Sequence, residues 1–231
     1  MVEKTLLDNN RAATSLSAPL DPCVVMLAAL AEGKTSIKNF VMTDDCLITL
    51  KIFSAMGVTH KIQGDELYIH GVGLYGLKPP SRALNCATSL NTLQLLLGIL
   101  SAQAFASELM ADKSLKTNSL QDFIRPLKKM GAEISTSEEG GIPIRIMPKD
   151  QFLQSIEHPV TESDVQLKTC LLLAGLYTAK GVVMIEPLAS SDHCERVLNA
   201  FGINVYVSDH KLTFDPAPLI ATHIDMQYIY N

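Results

Sequence analysis

Three short stretches of the chain carry residue types and spacings that do chemistry. The first is Gly71-Val72-Gly73-Leu74-Tyr75-Gly76, a GxGxxG pattern of the kind that lets a backbone close around a pyrophosphate. It follows strand-forming residues, as a dinucleotide site requires. Pro79-Pro80 comes directly after it and forbids the helix whose N-terminus would hold the phosphates. The pattern therefore reads as a turn-rich linker. The second is Asp192-His193-Cys194-Glu195, four metal-ligating types in a row. Adjacent helical residues point in different directions, and no second ligand cluster accompanies them. They read as the first turn of a helix with acidic charge at its positive end, as do Asp44-Asp45. The third is "LSAPLDPCVVMLAALAEG", Leu16 to Gly33. Asp21 suits an N-cap, Pro22 the first helical position and Gly33 the stop. Anions bind at helix entries of this kind, so the stretch raises the question of a ligand.

The bulk of the sequence narrows the choices. The chain has 231 residues, 47% of them hydrophobic, and a formal net charge of −5. That is ample for a packed core and argues against a nucleic-acid or anionic-membrane partner. The N-terminal stretch has no apolar run suited to a signal peptide, and no segment reaches the ~18 apolar residues of a membrane span. Five scattered cysteines with no CxxC suggest neither zinc nor a disulfide framework. The expectation is a reduced, cytoplasmic protein without metal or cofactor.

The elements that must position any site come in three copies. Each copy offers an apolar helix, a short strand, a capped helix ending in glycine, and two strands. The second helices end in "LKIFSAMGV", "IRPLKKMGAEI" and "RVLNAFGINV", with Gly57, Gly131 and Gly202 spaced roughly 70 residues apart. Hairpins follow, turning at Gln63-Gly64-Asp65, Glu138 to Gly141 and Ser208-Asp209-His210. The first helices, "CVVMLAALAEG", "SLNTLQLLLGILSAQAF" and "DVQLKTCLLLAGLYTAKG", are apolar on nearly every side and so should be buried. Caps are expected at Thr43 or Asp44, at Ser89 or Asn91, at Ser119 with Asp122, and at Ser190 or Ser191. Ser163 with Gln166 forms a capping-box pattern, and Pro126 implies a kink or a late helix start. The fold class is α/β, three β-α-β-α-β-β units in one pseudo-threefold lobe with helices inside and sheets outside. We expect an extension over residues 1–15, the lobe over 16–220 (units about 16–76, 83–149 and 155–216), and a tail over 221–231 that is either a strand capping a sheet edge or a remnant of a crossover between lobes.

The words "LAALAEGKTSIKNFVMTDDCLITLKIFSAMGV", "HGVGLYGLK", "LLLGILSAQ", "IRPLKKMGAEI", "LLLAGLY" and "SSDHCERVL" resemble the 5-enolpyruvylshikimate-3-phosphate (EPSP) synthase family. The resemblance runs from about Leu27 to Pro216. It implies one lobe of a two-lobed enolpyruvyltransferase. The family joins phosphoenolpyruvate to shikimate 3-phosphate in the cleft between its lobes, and this chain matches the N-terminal lobe. The general acid/base carboxylates and lysine of the other lobe have no counterpart here.

Carried over position by position, the family's binding words survive at Ser89, Thr92, Lys116, Gln166, Lys168 and Ser190. These six are the substrate-binding candidates the resemblance implies; no catalytic residue is carried over. The departures fall on anion-binding positions. Ala18, Pro19, Pro22 and Cys23 stand for a lysine, a serine, a histidine and an arginine. Thr88, Leu90, Asn91 and Gln94 replace an asparagine, a glycine, a threonine and an arginine, and Asn118 replaces another arginine. Asp164 takes a serine position and Ser191 a basic one. A charge-assisted hydrogen bond to an anion contributes about 1.5–3 kcal/mol, so losing several removes most of the affinity. The expectation is a homologue that is not catalytic by itself, a pseudoenzyme or a binding or assembly module. Its ligand would be less anionic than shikimate 3-phosphate, and its partner a second copy or a second lobe-bearing chain. The alternative is half of a split enolpyruvyltransferase of the shikimate pathway.

Overall fold

The structure is a computed structural model that describes residues 21–115, 120–137, 141–186 and 191–230. Three helices form its centre: α1 (Asp21–Leu30), α3 (Leu90–Leu100) and α5 (Val165–Gly175). Almost every residue of α1 and α3 is excluded from solvent, as is α5 from Lys168 onward. Their lack of a polar face leaves no other stable place for them. Gly98 lets α3 and α5 approach closely, since a Cβ there would meet the Cys170 carbonyl. Outside them lie α2 (Asp44–Ala55), α4 (Leu120–Lys129) and α6 (His193–Ala200), each with one buried face. Pro126 sits inside α4, which is already helical at Leu120.

Three four-stranded sheets cover this centre. The first strands in the chain are β1 (Glu32–Lys38), β2 (Thr59–Gln63) and β3 (Glu66–Val72). Then come β4 (Leu84–Asn85), β5 (Ser107–Met110), β6 (Ile134–Ser135) and β7 (Ile144–Ile146). The third set is β8 (Glu157–Pro159), β9 (Val183–Ile185), β10 (Val205–Ser208) and β11 (Lys211–Phe214), and the last strand is β12 (His223–Asp225). The sheet orders are β4-β5-β7-β6, β8-β9-β11-β10 and β12-β1-β3-β2. In each, an edge strand runs parallel to its neighbour and a hairpin completes the far side.

The first sheet takes its edge strand from the end of the chain. Residues 223–225 pair with Ser36 to Lys38, and Asn39 donates to the Asp225 carboxylate across the same seam. The segment read as a tail thus enters the lobe past residue 220, and α7 (Met226–Tyr230) follows it.

The repeated glycines end the repeated helices in one conformation. Gly57, Gly131 and Gly202 have φ of +95°, +90° and +91°. After each, the next N–H reaches back to the carbonyl five residues earlier: Val58 to Phe53, Ala132 to Leu127, Ile203 to Leu198. Such a left-handed helix ending is natural to glycine. Two hairpins turn as the sequence implies, at Gly64-Asp65 and at Asp209-His210, where both residues have positive φ. The third turn, from Glu138, lies largely outside the described residues.

Several local readings are corrected. Gly33 does not stop α1; the helix ends at Leu30, and Gly33 lies in β1 opposite Gly71 because sheet pairing takes the chain at once. Ser163 and Gln166 form no capping box. Asp164 holds the N-cap position, and its carboxylate turns back to accept from the Thr161 N–H and hydroxyl. Asp192, not Ser191, precedes α6, with no side-chain cap; Ser119 and Ser190 lie outside the described residues. Thr43 does cap α2, accepting from the Cys46 N–H at 3.2 Å. In Gly71–Gly76 two glycines are fixed by close packing. A Cβ on Gly71 would strike the Ala31 and Ala28 carbonyls, and one on Gly76 the Val72 carbonyl.

Candidate functional site

The N-terminal halves of α1, α2, α3, α5 and α6 meet in pairs. Thr49 of α2 touches Thr92 of α3, Lys168 of α5 touches Glu195 of α6, and the Cys23 thiol of α1 meets Cys194 of α6. N-terminal dipoles therefore lie where the resemblance places the binding words. The chain's own carboxylates meet much of that positive potential: Asp44 and Asp45 in the first turn of α2, Asp164 before α5, and Glu195 in the first turn of α6.

At the α2–α3 junction the hydroxyls form a directed relay. Ser89 caps α3 by accepting from the Thr92 N–H at 3.1 Å and donates its own proton to Thr92 Oγ1 at 2.8 Å. Thr92 Oγ1 lies 2.9 Å from Thr49 Oγ1, which donates to the Asp45 carbonyl at 2.8 Å. Since Thr49 spends its only proton on Asp45, Thr92 is the donor between the threonines. All three side chains are buried, and each hydroxyl proton is committed inside the protein. Ser89 and Thr92 thus tie α3 to α2. Leu90, just after Ser89, opens α3 itself.

At the α5–α6 junction the materials are charged. Lys168 is only 1% exposed. Its Nζ lies 2.8 Å from Glu186 Oε1 and 2.5 Å from Glu195 Oε1, and donates to the Ser191 carbonyl at 3.1 Å. Burial pushes the lysine pKa down, but the two carboxylates outweigh it and the net shift is upward. Burial raises the Glu195 carboxyl despite the ammonium beside it. Two carboxylates share one ammonium, so the cluster is saturated on its acidic side and offers no cation to an incoming anion. Ser191 Oγ pairs with His193 Nδ1 at 2.6 Å, and Asp192 with Arg196 at 3.2 Å. Burial, with Arg196 adding to it, lowers the His193 pKa. No group of residues able to hold a metal ion occurs among the described residues.

The structure thus brings Ser89 and Thr92 together and places Lys168 in a separate buried cluster; Gln166 is half-buried in the first turn of α5. Lys116 and Ser190 lie outside the described residues. Sequence reasoning did not single out Thr49 or Glu186, and took Glu195 as acidic charge in the first turn of a helix. One signal was present: a lysine inside "VQLKTCLLLAG" must be paired if the helix is buried. All five cysteines are buried thiols, and burial pushes those of Cys86 and Cys170 up to about 12.

The family model for EPSP synthase (3-phosphoshikimate 1-carboxyvinyltransferase) matches residues 22–226. The chain belongs to that family. It is 41% identical over 206 residues to the 3-phosphoshikimate 1-carboxyvinyltransferase of Methylococcus capsulatus, and 42% identical over 184 residues to that of Hydrogenovibrio crunogenus. These matches cover 87% and 78% of this chain but 46% and 41% of those proteins. The EPSP synthase structure from Acinetobacter baumannii superposes with a TM-score of 0.83 at 36% identity, covering 89% of this chain and 47% of that one. The chain therefore spans about half the length of the EPSP synthases it matches. The enolpyruvyl transferase NikO from Streptomyces tendae, at 14% identity and a TM-score of 0.60, shares the fold. No helix among the described residues is long and apolar enough to cross a membrane.

Proposed function

We propose that this chain is an EPSP-synthase-family lobe that does not catalyse enolpyruvyl transfer by itself and serves as a binding or assembly module. The observation that carries this reading is Lys168. It is the one cation among the described binding candidates, and it is enclosed between Glu186 and Glu195. The hydroxyls of Ser89 and Thr92 are likewise spent within the protein. Where the family holds an arginine, Cys23 packs against Cys194. The residue left partly open is Gln166, a neutral amide suited to hydroxyl groups on a ligand less anionic than shikimate 3-phosphate. Phosphate release from phosphoenolpyruvate and shikimate 3-phosphate tests the reading: the purified chain should show no turnover, and calorimetry no tight binding of shikimate 3-phosphate. Turnover by the purified chain would overturn it.

The length relation favours a second reading, in which another chain brings the missing lobe and the pair acts as a split enolpyruvyltransferase of the shikimate pathway. Activity that appears only on adding cell extract would select that reading over the first.

A further inference from the structure

The region where α3 and α5 finish carries a cavity of about 510 Å³. Tyr75 from the Gly71–Gly76 loop, Tyr177 from the turn after α5, and Phe152 from the segment after β7 line it. Ala102 and Ala104, just beyond α3, leave it room, and Lys149 and Asp150 stand at its side. Its size suits a small ligand.

Two features of this cavity are unexplained by folding. Tyr75 and Phe152 are 61% and 64% exposed, although aromatic rings usually bury most of their surface. Tyr177 is the reverse. It is 1% exposed, its hydroxyl makes no hydrogen bond of sound geometry, and burial holds its pKa far above the ordinary value. The neighbouring Gln103 spends its amide on the Leu74 and Ile99 carbonyls. A hydroxyl this deep ordinarily has a partner. Tyr75 meets the Tyr177 ring edge-on, centroids 5.6 Å apart, and its exposure leaves it free to turn outward.

We propose that this cavity binds a planar aromatic carboxylate. Its ring lies between Phe152 and Tyr75, and its carboxylate recruits the Lys149 side chain, whose ammonium otherwise lies beside Gly131. Tyr75 turns aside on binding, and the orphan hydroxyl of Tyr177 donates to the ligand. Asp150, on the same rim, is exposed to solvent. The site does not depend on whether the lobe is catalytic.

Fluorescence titration of the full chain with 2-naphthoate, and with neutral 2-naphthol as comparator, tests the assignment. The expected result is saturable one-to-one binding that favours the naphthoate. Phe152→Ala and Lys149→Gln should each weaken naphthoate binding about tenfold. Tyr177→Phe should weaken it while leaving the thermal midpoint of the free protein unchanged or raised, since no hydrogen bond is lost. Absence of saturable binding overturns the proposal. So does binding that ignores both Phe152→Ala and Lys149→Gln, or naphthol binding as well as naphthoate.

Discussion

Two junctions of the lobe tie an outer helix to a central helix with different chemistry. The α2–α3 junction uses Ser89, Thr92 and Thr49, neutral groups whose protons run one way into the Asp45 carbonyl. The α5–α6 junction uses an ammonium between two carboxylates. The neutral junction loses less when one member goes, because each hydroxyl carries a modest net energy and no charge is stranded. The charged junction is held together by mutual neutralisation in a dry site, so losing the lysine strands two carboxylates. The difference teaches that residues at family binding positions can be engaged inside the lobe by quite different chemistry.

Removing the charge is the strongest way to break the comparison. Lys168→Met should cost about 3–5 kcal/mol in urea unfolding. Replacing Glu186 and Glu195 by leucine in the same chain should recover most of that loss, since an apolar cluster needs no ammonium. A full loss in the triple variant would show that the junction depends on shape rather than charge. Titration sharpens the same point. The Lys168 pKa is raised in the folded state, so its stabilisation is complete below the ordinary lysine value of 10.5 and falls as pH rises through the raised one. Stability should therefore decline above pH 10.5, and the gap between wild type and Lys168→Met should narrow there. At the neutral junction, Thr92→Val interrupts the relay and should cost about 1–3 kcal/mol by the same assay, with no alkaline dependence of its own. Smallest is Thr43→Ala, which removes the α2 cap and should cost about 1 kcal/mol.

What the sequence made legible was what the chain decides locally. The helix-ending glycines, the two-residue turns and the all-round apolar helices each involve residues within a few positions of one another, and all were readable. The binding words were readable as words, and Ser89 as a cap of α3, but the contacts that tie them across the fold were not. Glu186 and Glu195 reach Lys168 only after β9 and α6 have packed, so nothing near Lys168 in the chain reveals its partners. Thr49 meets Thr92 for the same reason, across 43 residues of chain. The segment after residue 220 had no local pattern to declare it, because its partner strand is β1, at the other end of the described chain. Local hydrogen bonding misled at Ser163, where Asp164 turned its carboxylate back on Thr161 instead of leaving the cap to its neighbour.

The seam between β1 and β12 also has a consequence in time. During synthesis β1 leaves the ribosome early, but its parallel partner arrives only with residues 223–225, after the other two sheets have all their strands. The sheet whose first residues are made earliest is therefore the last to be completed. Until then the Ser36–Lys38 edge of β1 stands open to pairing with another strand.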